Sequence, residues 1–328
     1  THGGNLKMPN KKFIESIPVG PLAIVALPGS KALGDKVDAY ISGWRSERLE
    51  AKESPITFKG YVKDSYLLNV SVPRFGTGEA KCALKDTVRG CDLYIIDDVT
   101  NHSIEYTVCG QKNHMSPDDH YADIKRVIAA ASGKARKITV IMPFLYESRQ
   151  HRRSSRESMD CAVMLQELVN MGVDNIITFD AHDPRVNNAI PISGFESVMP
   201  TYQFIKNLLR NVPDIKLDSD HLMMISPDEG AMGRVVYYAN VLGVNMGMFY
   251  KRRDYTKVVN RVFVASTFGL FTNGLERFDE AYEQGLIYRV MTTNSIYQTP
   301  ELLEKEWYIN VDISKFTALF IDRLNHDA

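Results

Sequence analysis

The sequence contains few features of secreted, membrane or zinc-binding proteins. Its 328 residues include only 4 cysteines, and none of them belongs to a C-x-x-C pair. This excludes the common zinc and dithiol redox motifs and favours a reducing compartment. The longest aliphatic run, Leu22 to Leu27, is far too short to span a bilayer, and no signal peptide is visible. We therefore expect a cytoplasmic protein.

The chain also lacks an excess of either charge. Lysine and arginine number 39 against 40 aspartates and glutamates, which gives a formal net charge of −1. This balance gives no reason to expect a nucleic-acid or membrane partner. The length, with 44% hydrophobic and 24% charged residues, fits two ordinary globular domains.

Short apolar runs alternate with amphipathic helical patterns along the chain. Strands are predicted at 22–27, 67–72, 92–96, 138–142, 176–179, 222–225, 246–250, 261–267, 290–293 and 308–311. The alternation predicts an α/β fold in which mainly parallel sheets are flanked by helices. We expect an N-terminal domain at 1–198 and a C-terminal domain at 199–311. A last helix, within 312–328, can pack back on the first domain.

Local signals mark some helix ends between these strands. Ser116 followed by Pro117 and two aspartates is a clear helix start. Ser154 and Glu157 have the spacing of a capping box, which predicts a second start. A short helix is also predicted between Glu79 and Gly90. No regular element is predicted at 99–115, which is polar, or at 184–200.

An arginine-rich loop follows the predicted strand at 138–142. Its arginines are Arg149, Arg152, Arg153 and Arg156. Guanidinium groups next to the N-terminus of a helix favour the binding of polyphosphates. The alternative is a solvated surface loop, and charge clustering alone does not decide between the two.

Polar loops follow four predicted strands, at 149–153, 180–183, 226–234 and 251–253. Open α/β sheets bind ligands at the carboxyl ends of their strands. Arginines, carboxylates, a histidine and a lysine together suggest Mg²⁺ and phosphate. Each residue also has a structural explanation: His182 as a turn residue, Asp228 as a turn former, and Lys251 and Arg253 as solvated strand-end charges.

Six segments resemble, in order, the ribose-phosphate pyrophosphokinase (PRPP synthetase) family. They are FGTGEAK at 75–81, YESRQHRR at 146–153, DAH at 180–182, SPDEGAMGR at 226–234, KRR at 251–253 and RVFVASTFGLFTNG at 261–274. The resemblance implies two phosphoribosyltransferase-like domains and a homo-oligomer built from dimers, with a hexamer as one such form. It also implies Mg²⁺-dependent transfer of the diphosphoryl group of ATP to the C1 hydroxyl of ribose 5-phosphate, which yields PRPP and AMP.

The resemblance assigns nucleotide-binding residues by position. It implies that Phe75 and Glu79 contact adenine, often that of a neighbouring subunit, and that Arg149 and Gln150 bind ATP. Thr77 stands where the family usually has an aspartate that contacts the adenine amino group, so nucleotide selectivity is open.

The resemblance also assigns metal-binding and catalytic residues. It implies that His182 and Asp228 hold Mg²⁺ with Asp180 close to the ion, and that Lys251 and Arg253 stabilise charge on the transferred group. Phosphoryl transfer depends mainly on positioning and charge neutralisation, which agrees with these residue types.

Two further positions depart from the family. His151 replaces the usual aspartate after Arg-Gln, and the chain before Phe75 is longer than in the family.

The larger departure is at Asn260–Arg261, where the family carries a mobile catalytic loop, a strand and the loop that holds the 5-phosphate of the ribose. About nine residues separate the two strands around this junction, too few for a parallel crossover. Either the strands are not neighbours, or a segment belongs between them, and we expect the latter.

Two other functions compete with the enzyme. A non-catalytic regulatory subunit would keep the fold and bind synthetase partners, but it need not retain His182, Lys251 and Arg253. A phosphoribosyltransferase would share the architecture of one domain, but the duplicated domain argues against it. Release of AMP from ATP and ribose 5-phosphate separates the three functions.

Overall fold

The computed structural model describes residues 16–51, 58, 60–248 and 261–327, and it has the predicted α/β fold. Its helices are α1 (Lys31–Glu50), α2 (Pro117–Ala131), α3 (Asp160–Asn170), α4 (Thr201–Asn211), α5 (Met232–Leu242), α6 (Glu276–Glu283), α7 (Pro300–Glu304) and α8 (Ser314–Asn325). None of the helices among these residues is long and apolar enough to cross a membrane.

The strands follow in chain order. They are β1 (Leu22–Ala26), β2 (Val70–Ser71), β3 (Ala83–Leu84), β4 (Asp92–Ile96), β5 (Glu105–Val108), β6 (Gln111–His114), β7 (Lys137–Ile141), β8 (Asn175–Phe179), β9 (Gly194–Val198), β10 (Met223–Ser226), β11 (Asn245–Met248), β12 (Phe263–Ser266), β13 (Arg289–Thr293) and β14 (Tyr308–Val311). β2–β3 and β5–β6 form antiparallel pairs, whereas the strands of the larger sheets run parallel.

A parallel sheet in the order β1-β4-β7-β8-β9 forms the centre of the first half of the chain. β4 and β8 are buried along their whole length, which explains their continuous apolar runs. Leu67 forms a parallel bridge with Ile24 on the side of β1 that faces away from β4. The crossover through α1 therefore moves across the sheet in the direction opposite to the crossover through α2. Right-handed crossovers then place α1 on one face of the sheet and α2 and α3 on the other, and two separate apolar cores result.

The last helix, α8, packs on the same face as α1. Ala318 and Ile321 join the apolar core there. Beside them, the Nε of Arg45 donates to Oδ1 of Asp322 at 2.9 Å, and its Nη2 donates to Oδ1 of Asn325 at 2.7 Å. The end of the chain is therefore attached to its first helix by apolar packing and by buried polar bonds.

The second half of the chain contains two smaller parallel sheets. β10 pairs with β11, and β13 lies between β12 and β14. β11 and β12 belong to different sheets, so they are not neighbours, which removes the conflict with the short connection between them. The extra segment expected at Asn260–Arg261 and the domain boundaries stay predictions.

Several local predictions were wrong. The segment between Glu79 and Gly90 forms β3 instead of a helix, and the polar stretch 99–115 contains the hairpin β5–β6. β9 lies in the stretch 184–200. The Ser154 hydroxyl does contact Oε2 of Glu157 at 3.3 Å, but the helix begins at Asp160. Serine and glutamate at that spacing can close a turn on their own, without a helix following it.

Candidate functional site

A cleft of about 280 Å³ lies where the tips of β7, β8 and β12 meet. This volume is near the lower end of the range for small-molecule pockets, roughly 300–1,000 Å³. The cleft is lined by Phe144, Leu145, Ser148, Arg149, Phe179, Asp180, Ala181, His182, Arg234, Ser266, Thr267, Phe268 and Leu270. The carboxyl ends of strands thus converge on a mixed apolar and cationic cavity, as expected for a ligand site.

Arg149 reaches the cleft from a tight turn after β7. In this turn the Ser148 N–H donates to the Leu145 carbonyl at 3.1 Å and the Gln150 N–H to the Glu147 carbonyl at 2.9 Å. Glu147 adopts a positive φ of 53°, which helps to reverse the chain. Gln150 is exposed and does not line the cleft. The other arginines of the loop, at 152, 153 and 156, are exposed as well.

His182 lies at the end of β8 next to His151. The two rings have centroids 5.0 Å apart. Partial burial, together with the neighbouring His151 and the guanidinium groups of Arg149 and Arg234, holds the pKa of His182 below its ordinary value. His182 is therefore a neutral ring at pH 7, one that can accept a hydrogen bond or ligate a metal.

The acid beside the histidines is neutralised by an arginine. Arg185 donates from Nε and Nη2 to the carboxylate of Asp183, with distances of 2.9 and 2.5 Å, and these bonds lower the pKa of Asp183. The Nε2 of His151 lies 3.6 Å from Oδ2 of Asp183. Among the described residues, Asp183 is therefore already paired with Arg185.

Asp180 is paired in the same way. Its Oδ1 accepts from Nε of Arg234 at 2.5 Å, and its Oδ2 accepts from Oγ1 of Thr267 at 2.8 Å. Sequence reasoning gave no role to Arg234 or Thr267. The available signals were the position of Arg234 at the end of the 226–234 motif, in the first turn of α5, and that of Thr267 directly after β12.

The residues predicted to hold Mg²⁺ do not form a metal cage. Among the residues that the structure describes, no three histidine, cysteine, aspartate or glutamate side chains are grouped so that they could hold an ion. Both oxygens of Asp180 are occupied, and Oδ1 of Asp228 accepts from the Ala231 N–H at 2.9 Å. Asp228 is exposed and does not line the cleft. The geometry thus brings Arg149, His182 and Asp180 together, but not Asp228.

The predicted adenine-binding residues lie elsewhere on this chain. Phe75 is 50% exposed at the tip of a tight loop, where Oγ1 of Thr77 donates to Oε2 of Glu79 at 2.9 Å. The loop is supported by the hairpin β5–β6, since the Cys109 N–H donates to the Gly76 carbonyl at 2.8 Å. Neither Phe75 nor Glu79 lines the cleft. Lys251 and Arg253 lie outside the described residues.

Comparison with known proteins identifies the first half of this fold. Residues 22–172, which include the sheet strands β1 to β7, match the family model for the N-terminal domain of ribose phosphate pyrophosphokinase. This region is therefore similar to the N-terminal domain of the ribose-phosphate pyrophosphokinase family. The predicted resemblance is thereby confirmed, and Arg149 lies within the matched ribose-phosphate pyrophosphokinase domain.

Curated relatives support this family at low identity. The ribose-phosphate pyrophosphokinase of Oceanobacillus iheyensis is 28% identical over 189 residues, which are 56% of this chain and 52% of the relative. That of Streptomyces coelicolor is 24% identical over 246 residues, which are 74% and 67%. The chain spans about half the length of the first curated relatives that it matches.

A solved structure supports the fold over nearly the whole chain. Phosphoribosylpyrophosphate synthetase from Mycobacterium smegmatis superposes with a TM-score of 0.65 at 17% identity, over 94% of this chain and 99% of that one. At this identity the likeness concerns the fold alone. It confirms an α/β architecture that continues beyond the matched N-terminal domain.

Proposed function

We propose that this protein is a ribose-phosphate pyrophosphokinase with two phosphoribosyltransferase-like domains. In the proposed reaction, the C1 oxygen of ribose 5-phosphate attacks the β-phosphorus of ATP and loses its proton. The bond between that phosphorus and the oxygen shared with the α-phosphate breaks, so AMP leaves and PRPP forms. The match of residues 22–172 to the family model of the N-terminal domain supports the proposal.

The cleft at the strand tips is the observation that carries the proposal. It presents the guanidinium groups of Arg149 and Arg234 around the neutral ring of His182, while the nearby acids Asp180 and Asp183 are paired with arginines. Such a cleft attracts a phosphate chain and neutralises it, which is the main requirement of phosphoryl transfer.

The proposal also includes binding of Mg²⁺, contacts to adenine and assembly of several subunits. Mg²⁺ is commonly held by one or two protein groups together with substrate phosphates, so His182 and Asp228 are the residues to test. These two residues do not form a metal cage within the described parts of the chain. Phe75 is exposed, which agrees with a contact to a nucleotide bound by a second copy of the chain.

The experiment is a coupled assay for AMP release from ATP, ribose 5-phosphate and Mg²⁺. Wild-type protein should turn over, and Arg149→Ala should reduce kcat/KM by roughly 10²–10³, as loss of one pre-organised charge in an active site does. Arg277→Ala is the matched control, since Arg277 is an exposed arginine on α6, outside the cleft.

Two results would count against the proposal. No turnover by folded wild-type protein would favour the regulatory subunit. Equal losses for Arg149→Ala and Arg277→Ala would mean that the cleft is not the place where ATP binds.

A further inference from the structure

The cleft contains an ion pair to which the family resemblance gives no role. Asp180 is followed by Ala181 and His182 at the tip of β8, and it adopts a positive φ of 45°. Its N–H donates to the Val198 carbonyl at 2.9 Å, and the Ala181 N–H donates to Oγ of Ser197 at 2.9 Å. A non-glycine residue in this region is uncommon and persists where its surroundings fix it. β9 therefore fixes the backbone of Asp180, and the hydroxyl of Thr267 donates to its carboxylate.

Asp180 fixes in turn the guanidinium group of Arg234. The Nε of Arg234 is bonded to Asp180, and its Nη2 reaches the Ala181 carbonyl at 3.5 Å. An arginine side chain has five N–H donors. The remaining three find no protein acceptor within the described parts of the chain, and the side chain, 33% exposed, lines the cleft. These donors are available to a ligand in the cleft.

We propose that Arg234 binds the phosphate chain of the ligand in the cleft, and that Asp180 is a positioning residue that acts through Arg234. The proposal rests on the proposed function and deepens it, because it assigns an oligophosphate-binding residue and a positioning residue to that cleft. It also gives Asp180 a role other than the position close to Mg²⁺ that the resemblance implies. Guanidinium forks match phosphate oxygens in geometry as well as in charge.

A purely structural role for the pair makes a different prediction. Asp180 and Arg234 are 54 positions apart, so their bond also joins the two halves of the chain. If the pair had only this structural role, substitutions of Asp180 or Arg234 would lower thermal stability and leave anion affinity unchanged. Binding must therefore be measured apart from turnover and apart from stability.

The experiment measures binding of inorganic tripolyphosphate by calorimetry in buffer with EDTA, with Tm recorded for each protein. Arg234→Met should weaken binding roughly 10- to 100-fold, as expected for hydrogen bonds to a charged group. Arg234→Lys should lose less, because it keeps the charge without the fork. Arg277→Met, on the exposed face of α6, is the matched control and should bind like wild type.

A double-variant cycle tests whether Asp180 acts through Arg234. Asp180→Asn should weaken tripolyphosphate binding several-fold in the wild-type background and have no further effect in the Arg234→Met background. Equal losses in both backgrounds would overturn the positioning role. Wild-type affinity in Arg234→Met would overturn the binding role, and where Arg234→Met is unfolded the same criterion applies to Arg234→Lys.

The proposed function can fail separately. Wild-type protein that binds tripolyphosphate through Arg234 but releases no AMP would support the oligophosphate site and contradict the pyrophosphokinase reaction.

Discussion

At the scale of single residues, Gly29 occupies a position in which no side chain fits. A Cβ atom there would lie 2.5 Å from Oδ1 of Asp97, 2.8 Å from the Asp98 carbonyl oxygen and 2.9 Å from Cε1 of His120. Gly43, within α1, has no atom of the described residues within 4 Å of the corresponding position. Substitutions at Gly29 and Gly43 are therefore expected to have opposite effects on stability.

We predict that Gly29→Ala destabilises the protein by roughly 1–3 kcal/mol, because a buried carboxylate and backbone must move to accept the methyl group. Gly43→Ala should stabilise it by about 0.5–1 kcal/mol, since alanine loses less conformational entropy than glycine in a helix. Urea unfolding measures both free energies. Equal stability of Gly29→Ala and wild type would contradict the expected clash between the added methyl group and Asp97, Asp98 and His120.

Some residues of the candidate site could be predicted from the sequence, whereas their contacts with each other could not. Arg149 and His182 could be predicted because each follows an apolar run that reads as a strand. The pairing of Asp180 with Arg234 could not, because it requires β8 and α5 to meet in space. The family resemblance implies that Asp180 lies close to Mg²⁺, and in the fold both of its oxygens accept hydrogen bonds from protein donors.

At the scale of elements, α8 is attached to α1 through a carboxylate that is almost fully buried. Asp322 is 3% exposed in its side chain, and it accepts from Nε of Arg45 at 2.9 Å and from Nη2 of Arg48 at 2.6 Å. Arg45 itself is 0% exposed. Loss of one partner would leave buried charge uncompensated.

Asp322→Ala should therefore reduce the free energy of unfolding by about 3–5 kcal/mol, the range found when a buried ion pair loses one partner. Asp35→Ala is the control, because Asp35 pairs with Lys31 on the exposed face of α1 and should change stability by less than about 1 kcal/mol. Guanidinium chloride unfolding compares the two. Similar effects would mean that α8 is held by its apolar contacts alone.

Elements with local signals were predicted more accurately than elements made by packing. α2 begins where the sequence indicates, since Oγ of Ser116 accepts from the Asp119 N–H and the Asp119 carboxylate accepts from the Ser116 N–H. The hairpin β5–β6 was missed because its strands are polar and mostly exposed. Its position depends on contacts with the 75–79 loop, where a Cβ on Gly78 would lie 3.0 Å from Val108.

At the scale of the whole molecule, the two halves of the chain are joined close to the ends of their sheets. Phe144 packs edge-on against Phe268 with centroids 5.0 Å apart. A second link lies at the end of β4, where Oδ2 of Asp98 accepts from the Tyr297 N–H at 2.7 Å and the ring of His102 packs edge-on against that of Tyr297. These contacts join residues about 120 to 200 positions apart, so no local pattern in the sequence predicts them.

Asp98 makes the stability of this arrangement depend on pH. The side chain is 1% exposed, and burial raises its pKa to about 6, although it also accepts from the N–H and hydroxyl of Thr100. An unfolded aspartate titrates near 3.8. Between about pH 4 and 6 the folded state thus holds a proton that the unfolded state has lost, so the contribution of Asp98 to stability falls as pH rises through this range.

We therefore predict that the free energy of unfolding of Asp98→Asn, measured relative to that of wild type, rises by roughly 2–3 kcal/mol between pH 4 and pH 7. The reason is that asparagine carries no charge to bury. Urea unfolding of both proteins at intervals of one pH unit measures this difference. The other titratable groups are common to both proteins, so their contributions cancel. Asp35→Asn, at an exposed site, is the control for removal of a carboxylate. A curve for Asp98→Asn parallel to that of wild type would mean that Thr100 and the Tyr297 N–H compensate the buried charge fully, so that the link between the halves does not depend on pH.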